Sequence, residues 1–110
     1  MSLEQIIHAL ESLGLSNIEA EVYVFVARKG QINSKYLEVS LKYSKDQIDN
    51  SLDVLFDKGL VNKKQRTIIS AIPFDEALEL LIKNQRQEEI SLKKLKKKLI
   101  NSWKKNSYSL

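Results

Sequence analysis

"SKDQIDNSLDVLFDKGLVNKKQRTIISAIP", Ser44 to Pro73, passes from a helical repeat to an extended one, with a single glycine between them. Ser44 is a natural N-cap, and Gln47 three residues later completes a capping box. Ile48, Leu52, Leu55 and Phe56 then recur at helical spacing on one face. Gly59 ends that helix, because glycine takes the left-handed cap conformation without steric cost. Beyond it the period changes to two. "LVNKK" and "TIISAI" are rich in β-formers and flank Gln65-Arg66, which predicts a short hairpin. The helix carries Asp46, Asp49, Asp53 and Asp57 against Lys45 and Lys58, so its exposed surface is acidic.

The sequence on either side fits the same scheme. Leu3, Ile6, Ile7, Leu10 and Leu13 give a first helix its apolar face. "SNIE", Ser16 to Glu19, is a capping box opening a second helix. That helix is so apolar from Ala20 to Ala27 that it must be central. Asn33 caps a short third helix holding Tyr36, Leu37 and Val39. The glycines at 14, 30 and 59 each follow a helical pattern and stand far apart, whereas a phosphate-cradling loop needs them clustered before a helix. After Pro73, Asp75 and Glu76 suit a first turn, and nothing breaks the helix until about Lys105. That is ~30 residues, or ~45 Å at 1.5 Å per residue. In heptad spacing its a positions are Leu78, Gln85, Leu92 and Leu99, and its d positions Leu81, Glu88, Leu95 and Ser102, with Ile82 and Trp103 beside the seam.

Two short helices followed by a two-stranded hairpin make a winged helix-turn-helix. The expected fold is therefore mainly α, a winged helix-turn-helix over residues 1–73 with a short β-hairpin wing. Residues 74–110 are expected to form a long C-terminal helix, pairing as a coiled coil and ending in a basic tail.

Composition narrows the function. The net charge of +4 divides unevenly: residues 1–82 hold nine Lys/Arg and twelve Asp/Glu, whereas residues 83–110 hold nine and two. No apolar run approaches the ~18 residues needed to span a membrane, and the first residues lack the basic region of a signal peptide. Cysteine is absent and His8 is the only histidine, a poor basis for a metal site or a catalytic triad. A small cytoplasmic protein is expected that is not an enzyme and needs no metal or other cofactor.

The chain resembles the TrmB family of archaeal winged-helix transcription regulators. The resemblance rests on "LGLSNIEAEVYVFVARKGQINSKYLE" (Leu13–Glu38), "LDVLFDKGLV" (Leu52–Val61) and "AIPFDEALELLI" (Ala71–Ile82). It implies a winged-helix DNA-binding domain acting as a dimer. Larger members add a sugar-binding effector domain; this sequence carries none, so no small-molecule effector is expected. Three places depart from the family pattern. Leu41-Lys42-Tyr43 stands in the turn that usually holds glycine. Ser44 to Asp49 replaces an Arg-rich helix start, and the wing is about two residues shorter and lacks its glycine.

The expected activity is sequence-specific DNA binding by a homodimer, with helix 44–58 in the major groove and wing 61–72 on the backbone. The N-terminal part of a recognition helix reaches base edges. Asn50 or Gln47 can pair with adenine there, and Asp46 can accept from cytosine. Lys42, Lys45, Lys63, Lys64 and Arg66 are candidate phosphate contacts, and Ser34, Lys35, Tyr43 and Ser44 complete the DNA-binding set. Leu78, Leu81, Ile82, Leu92, Leu95, Leu99 and Trp103 are the candidate dimerisation residues. The lysine run 93–98 could add phosphate contacts. The expected partners are thus double-stranded DNA and a second copy, with no membrane. The alternative is a protein–protein adaptor whose acidic helix meets a basic partner.

Overall fold

The computed structural model describes residues 2–65 and 67–105. Its order is α1 (Leu3–Ser12), α2 (Asn17–Lys29), β1 (Gln31–Asn33), α3 (Ser34–Ser40), α4 (Lys45–Asp57), β2 (Val61–Lys63), β3 (Ile68–Ala71) and α5 (Phe74–Lys105). This is a winged helix: α3 and α4 form the helix-turn-helix, and β2 and β3 the wing.

Each helix starts where its local chemistry satisfies the first free amides. Ser16 and Ser44 form the capping boxes expected from the sequence, with Glu19 and Gln47 as their partners. Ser2 and Gln5 form a third, which opens α1. The ends of α1 and α4 share one device. Gly14 and Gly59 have φ of +105° and +78°. The amides of Leu15 and Leu60 reach back to the carbonyls of Leu10 and Leu55 at 3.2 and 2.9 Å. This is the Schellman pattern, in which the residues at the two ends of that bond also touch through apolar side chains. Leu10, Leu15, Leu55 and Leu60 are all buried, so each helix stop also seeds the core.

The sheet is three-stranded in the order β1-β3-β2, all antiparallel. β1 adds a strand to the two expected. It is three residues long with one inward side chain, Ile32, too short for period-two alternation to register in the sequence. It pairs Ile32 with Ile69, which anchors the wing to the end of α2.

α2 is the central element, packed on α1, α4, β1 and β3. Tyr23 is fully buried, and its hydroxyl donates to the Ile72 carbonyl at 2.7 Å, fixing the chain just before Pro73. From there α5 leaves the domain. Its first two turns pack inward through buried Ala77 and Leu81, with Leu78 and Leu80 against the same core. From Arg86 to Lys105 every residue is exposed.

Candidate nucleic-acid interface

α4 is held from below and from its N-terminus. Ile48, Ser51, Leu52 and Leu55 are buried, against α2 on one side and β2 on the other. The turn before it is pinned by Tyr43, whose hydroxyl donates to Glu21 Oε2 of α2 at 2.5 Å. The hydrogen bond to this carboxylate, first, and then desolvation and the carboxylate's charge raise the tyrosine pKa. Tyr43, expected among the DNA contacts, thus has its hydroxyl committed to positioning the turn. This also accounts for a turn without glycine: the aromatic ring is partly buried against the core, and an intramolecular bond fixes the geometry.

Gln47 has a comparable double assignment. Its amide N–H donates to Ser44 Oγ, and its side-chain Oε1 accepts from the Ser44 N–H at 3.0 Å. Bidentate recognition of adenine needs the same amide oxygen as acceptor. The oxygen that caps α4 already accepts one hydrogen bond, so reaching a base edge competes with the cap. Asn50, one turn further, is exposed, and its side chain makes no hydrogen bond among the described residues. Lys45, Asp46 and Asn50 make up the outward N-terminal surface of the helix.

The wing and α3 are tied together at a point that local sequence does not reveal. The Ser34 amide donates to the Thr67 carbonyl at 2.8 Å, and Asn33 Nδ2 donates to Thr67 Oγ1 at 3.4 Å. Asn33 also accepts from the Lys35 amide at 2.9 Å, as the expected cap. Asn33 and Thr67 therefore set the angle between wing and helix-turn-helix. The capping preference of Asn33 was legible; its partner lies 34 positions away and was not.

The cations surround this face unevenly. Lys35, Lys42, Lys45 and Lys64 are exposed. Lys63 lies with its ammonium 5.2 Å from the Phe56 ring centroid, a cation–π arrangement that holds it along the C-terminal half of α4. Arg66 lies outside the described residues. Asp46, Asp49, Asp53 and Asp57 are exposed, and no described residue pairs with them within 4 Å. Among the described residues the contact of this kind, His8 Nδ1 to Glu11 Oε1 at 3.7 Å, belongs to α1 and is solvent-facing. Among the described residues no cluster of His, Cys, Asp and Glu could hold a metal, and no helix is long and apolar enough to cross a membrane.

The candidate dimerisation residues separate into two groups. Leu81 is 1% exposed and belongs to the domain's own core. It is thereby removed from the set that could meet a second chain, and Leu78 is half-buried against the same core. Heptad spacing places both on the seam, because it cannot distinguish a partner helix from the domain at the helix root. Ile82, Leu92, Leu95, Leu99 and Trp103 remain exposed. Gln85, a polar break in the heptad pattern, donates through Nε2 to the Ser12 carbonyl at 3.0 Å. It satisfies the end of α1 and marks where α5 parts from the domain.

A family model described as sugar-specific transcriptional regulator TrmB matches residues 10–75. The chain belongs to the TrmB family. The match runs from the end of α1 through the wing into the first turn of α5, so it takes in the whole helix-turn-helix. TrmB proteins are transcription regulators with a winged-helix DNA-binding domain, not an enzyme family. No curated protein and no solved structure matches the sequence.

Proposed function

We propose that this TrmB-family chain is a homodimeric, sequence-specific DNA-binding transcription regulator of the cytoplasm. Residues 1–73 bind DNA, and residues 74–110 hold two copies together. The N-terminal half of α4 enters the major groove, where Asn50 pairs with a base and Lys45 and Asp46 flank it. Lys35, Lys42 and Lys64 contact the phosphates on either side, which fixes register without reading sequence. The observation carrying this reading is the outward surface Lys45–Asp46–Asn50, whose side chains are unpaired among the described residues, presented at the start of a capped helix beside the wing.

The acidic stripe limits the electrostatic contribution. Only the start of a recognition helix approaches base edges, so Asp53 and Asp57 point past the duplex. They lower affinity for any sequence and shift the burden of recognition to base contacts. The same stripe favours one competing reading, an adaptor whose α4 docks on a basic protein surface. Selection of duplexes from a random library distinguishes the two. DNA reading predicts enrichment of a site with two related half-sites about one helical turn apart. Recovery of unenriched sequence would leave the adaptor.

A further inference from the structure

The distal part of α5 displays apolar side chains and charges in an order that specifies more than pairing. Leu92, Leu95 and Leu99 are spaced at three and four residues, with Ile82 and Trp103 flanking them, all exposed. Charge is polarised along the same helix. Asp75, Glu76, Glu79, Glu88 and Glu89 lie in the half nearer the domain, accompanied by Lys83 and Arg86. From Leu92 onwards there are seven lysines, at 93, 94, 96, 97, 98, 104 and 105, and no acid.

Two copies aligned in parallel bring lysine clusters of like sign to the same level. Reversing one copy moves Lys96, Lys97 and Lys98 level with residues 89–91 of the partner, while Lys93 and Lys94 still face their counterparts, and it sets Glu88 and Glu89 of each helix near Lys98 and Lys96 of the other. The apolar positions choose the register. In an antiparallel pair an a position faces a d position, so Leu92 meets the partner's Leu95. The flanking e positions then meet each other. Glu89 falls beside the partner's Lys96, and Ile82 beside the partner's Trp103. Each contact occurs twice by the two-fold symmetry. Glu88 faces the partner's Leu99 with the partner's Lys98 adjacent, so its carboxylate has a cation within reach at the edge of the seam.

Resting on the homodimer proposed above, we infer that α5 pairs with α5 of a second copy in antiparallel orientation, centred between Lys93 and Lys94. The pair forms a rod with a winged domain at each end. The two Ile82 positions are then ~35 Å apart along the rod, at 1.5 Å per residue. That is close to the ~34–36 Å between successive major grooves on one face of a duplex. Lys96 and Lys98 of each helix lie near Glu89 and Glu88 of the partner, which sets part of the lysine run to pairing rather than to phosphate binding.

The chain has no cysteine, so single nitroxide labels can be placed on the full protein. Lys83→Cys and Lys104→Cys both sit at f positions, away from the seam. Antiparallel pairing gives a label–label distance of ~30 Å at each site, from ~1.5 Å per residue on either side of the centre. Parallel pairing gives a short distance at both sites, under ~20 Å for helices ~10 Å apart. Distances near 30 Å at both sites support the register; short or dissimilar distances overturn it while leaving a dimer in place. Absence of dipolar coupling at either site, with a monomeric mass, overturns the dimer itself. Exchanging charge gives an independent readout. Glu89→Lys is expected to weaken dimerisation about tenfold, and adding Lys96→Glu to restore it, because the two residues oppose only in the antiparallel register. No rescue by the double variant overturns the pairing.

Discussion

α4 and the distal half of α5 are both amphipathic helices, yet one is finished within the chain and the other is not. α4 is 13 residues long and acidic; its apolar stripe lies in the core, its N-terminus closes on Ser44 and its C-terminus on Gly59. The 20 residues from Arg86 to Lys105 are basic, and their apolar stripe faces solvent throughout. Helical periodicity is visible in both sequences, but it identifies a face, not what covers it. What distinguishes them is punctuation. A serine cap and a glycine stop give α4 definite ends, so both of its faces can be assigned. No glycine or proline interrupts α5 from Phe74 to Lys105, and a helix stabilised chiefly by packing needs a surface that this domain does not provide.

The largest effect should separate these two stripes. Leu55→Ala empties a fully buried site and is expected to cost ~2–5 kcal/mol of domain stability, read by chemical denaturation. Leu99→Ala, on the exposed stripe, should leave the denaturation midpoint of a dilute sample unchanged. It should lower the midpoint of a concentrated one, because a dimer's stability depends on protomer concentration. Equal losses for both variants at every concentration would erase the distinction.

A smaller effect tests the ends of α4. Ser44→Ala removes one half of the capping box and is expected to cost ~1 kcal/mol, measured as a fall in thermal midpoint. No change would mean that Gln47 is not held by its cap and is open to a base after all.

A pH effect tests the junction from which α5 departs. Burial first, then the charges of Asp75 and Glu76, push the Tyr23 hydroxyl from 10.0 up to about 12. The folded chain therefore retains this proton where the unfolded chain has lost it. Stability from this group is complete below pH 10 and declines as pH rises from 10 to about 12. Tyr23→Phe should be less stable at neutral pH, by ~1 kcal/mol for the lost bond to Ile72, and should show a shallower alkaline decline. An unaltered decline would assign it to other groups.

The smallest effect concerns the acidic surface. Asp53→Asn and Asp57→Asn should tighten binding to mixed-sequence DNA by a few-fold at low salt, as exposed charges contribute little and are screened.

Most of the fold was legible because its signals are local. Two capping boxes, the glycine stops and the change of period after Gly59 each specify structure within a few residues. β1 was not legible, since Gln31–Asn33 has one inward residue and its strand character comes from Ile69 and Ser70, far along the chain. The interface was legible to a lesser degree. Residue type marked Gln47 and Tyr43 as possible contacts. Whether a polar atom is free to bind depends on partners that spacing shows only in part, as with Glu21 for Tyr43. Leu81 illustrates the same limit on the apolar side: its heptad position is correct for pairing, but the domain covers it first.

The proposed function rests on reading of sequence by the exposed start of α4. It is tested most directly by titrating wild type, Asn50→Ala and Gln47→Ala with a selected duplex and with a scrambled one, following fluorescence anisotropy at fixed salt. Asn50→Ala is expected to lose about 1–3 kcal/mol on the selected duplex and little on the scrambled one. Gln47→Ala should be less stable but keep its preference between the two duplexes. Equal weakening of Asn50→Ala on both duplexes, or no weakening on either, would contradict it.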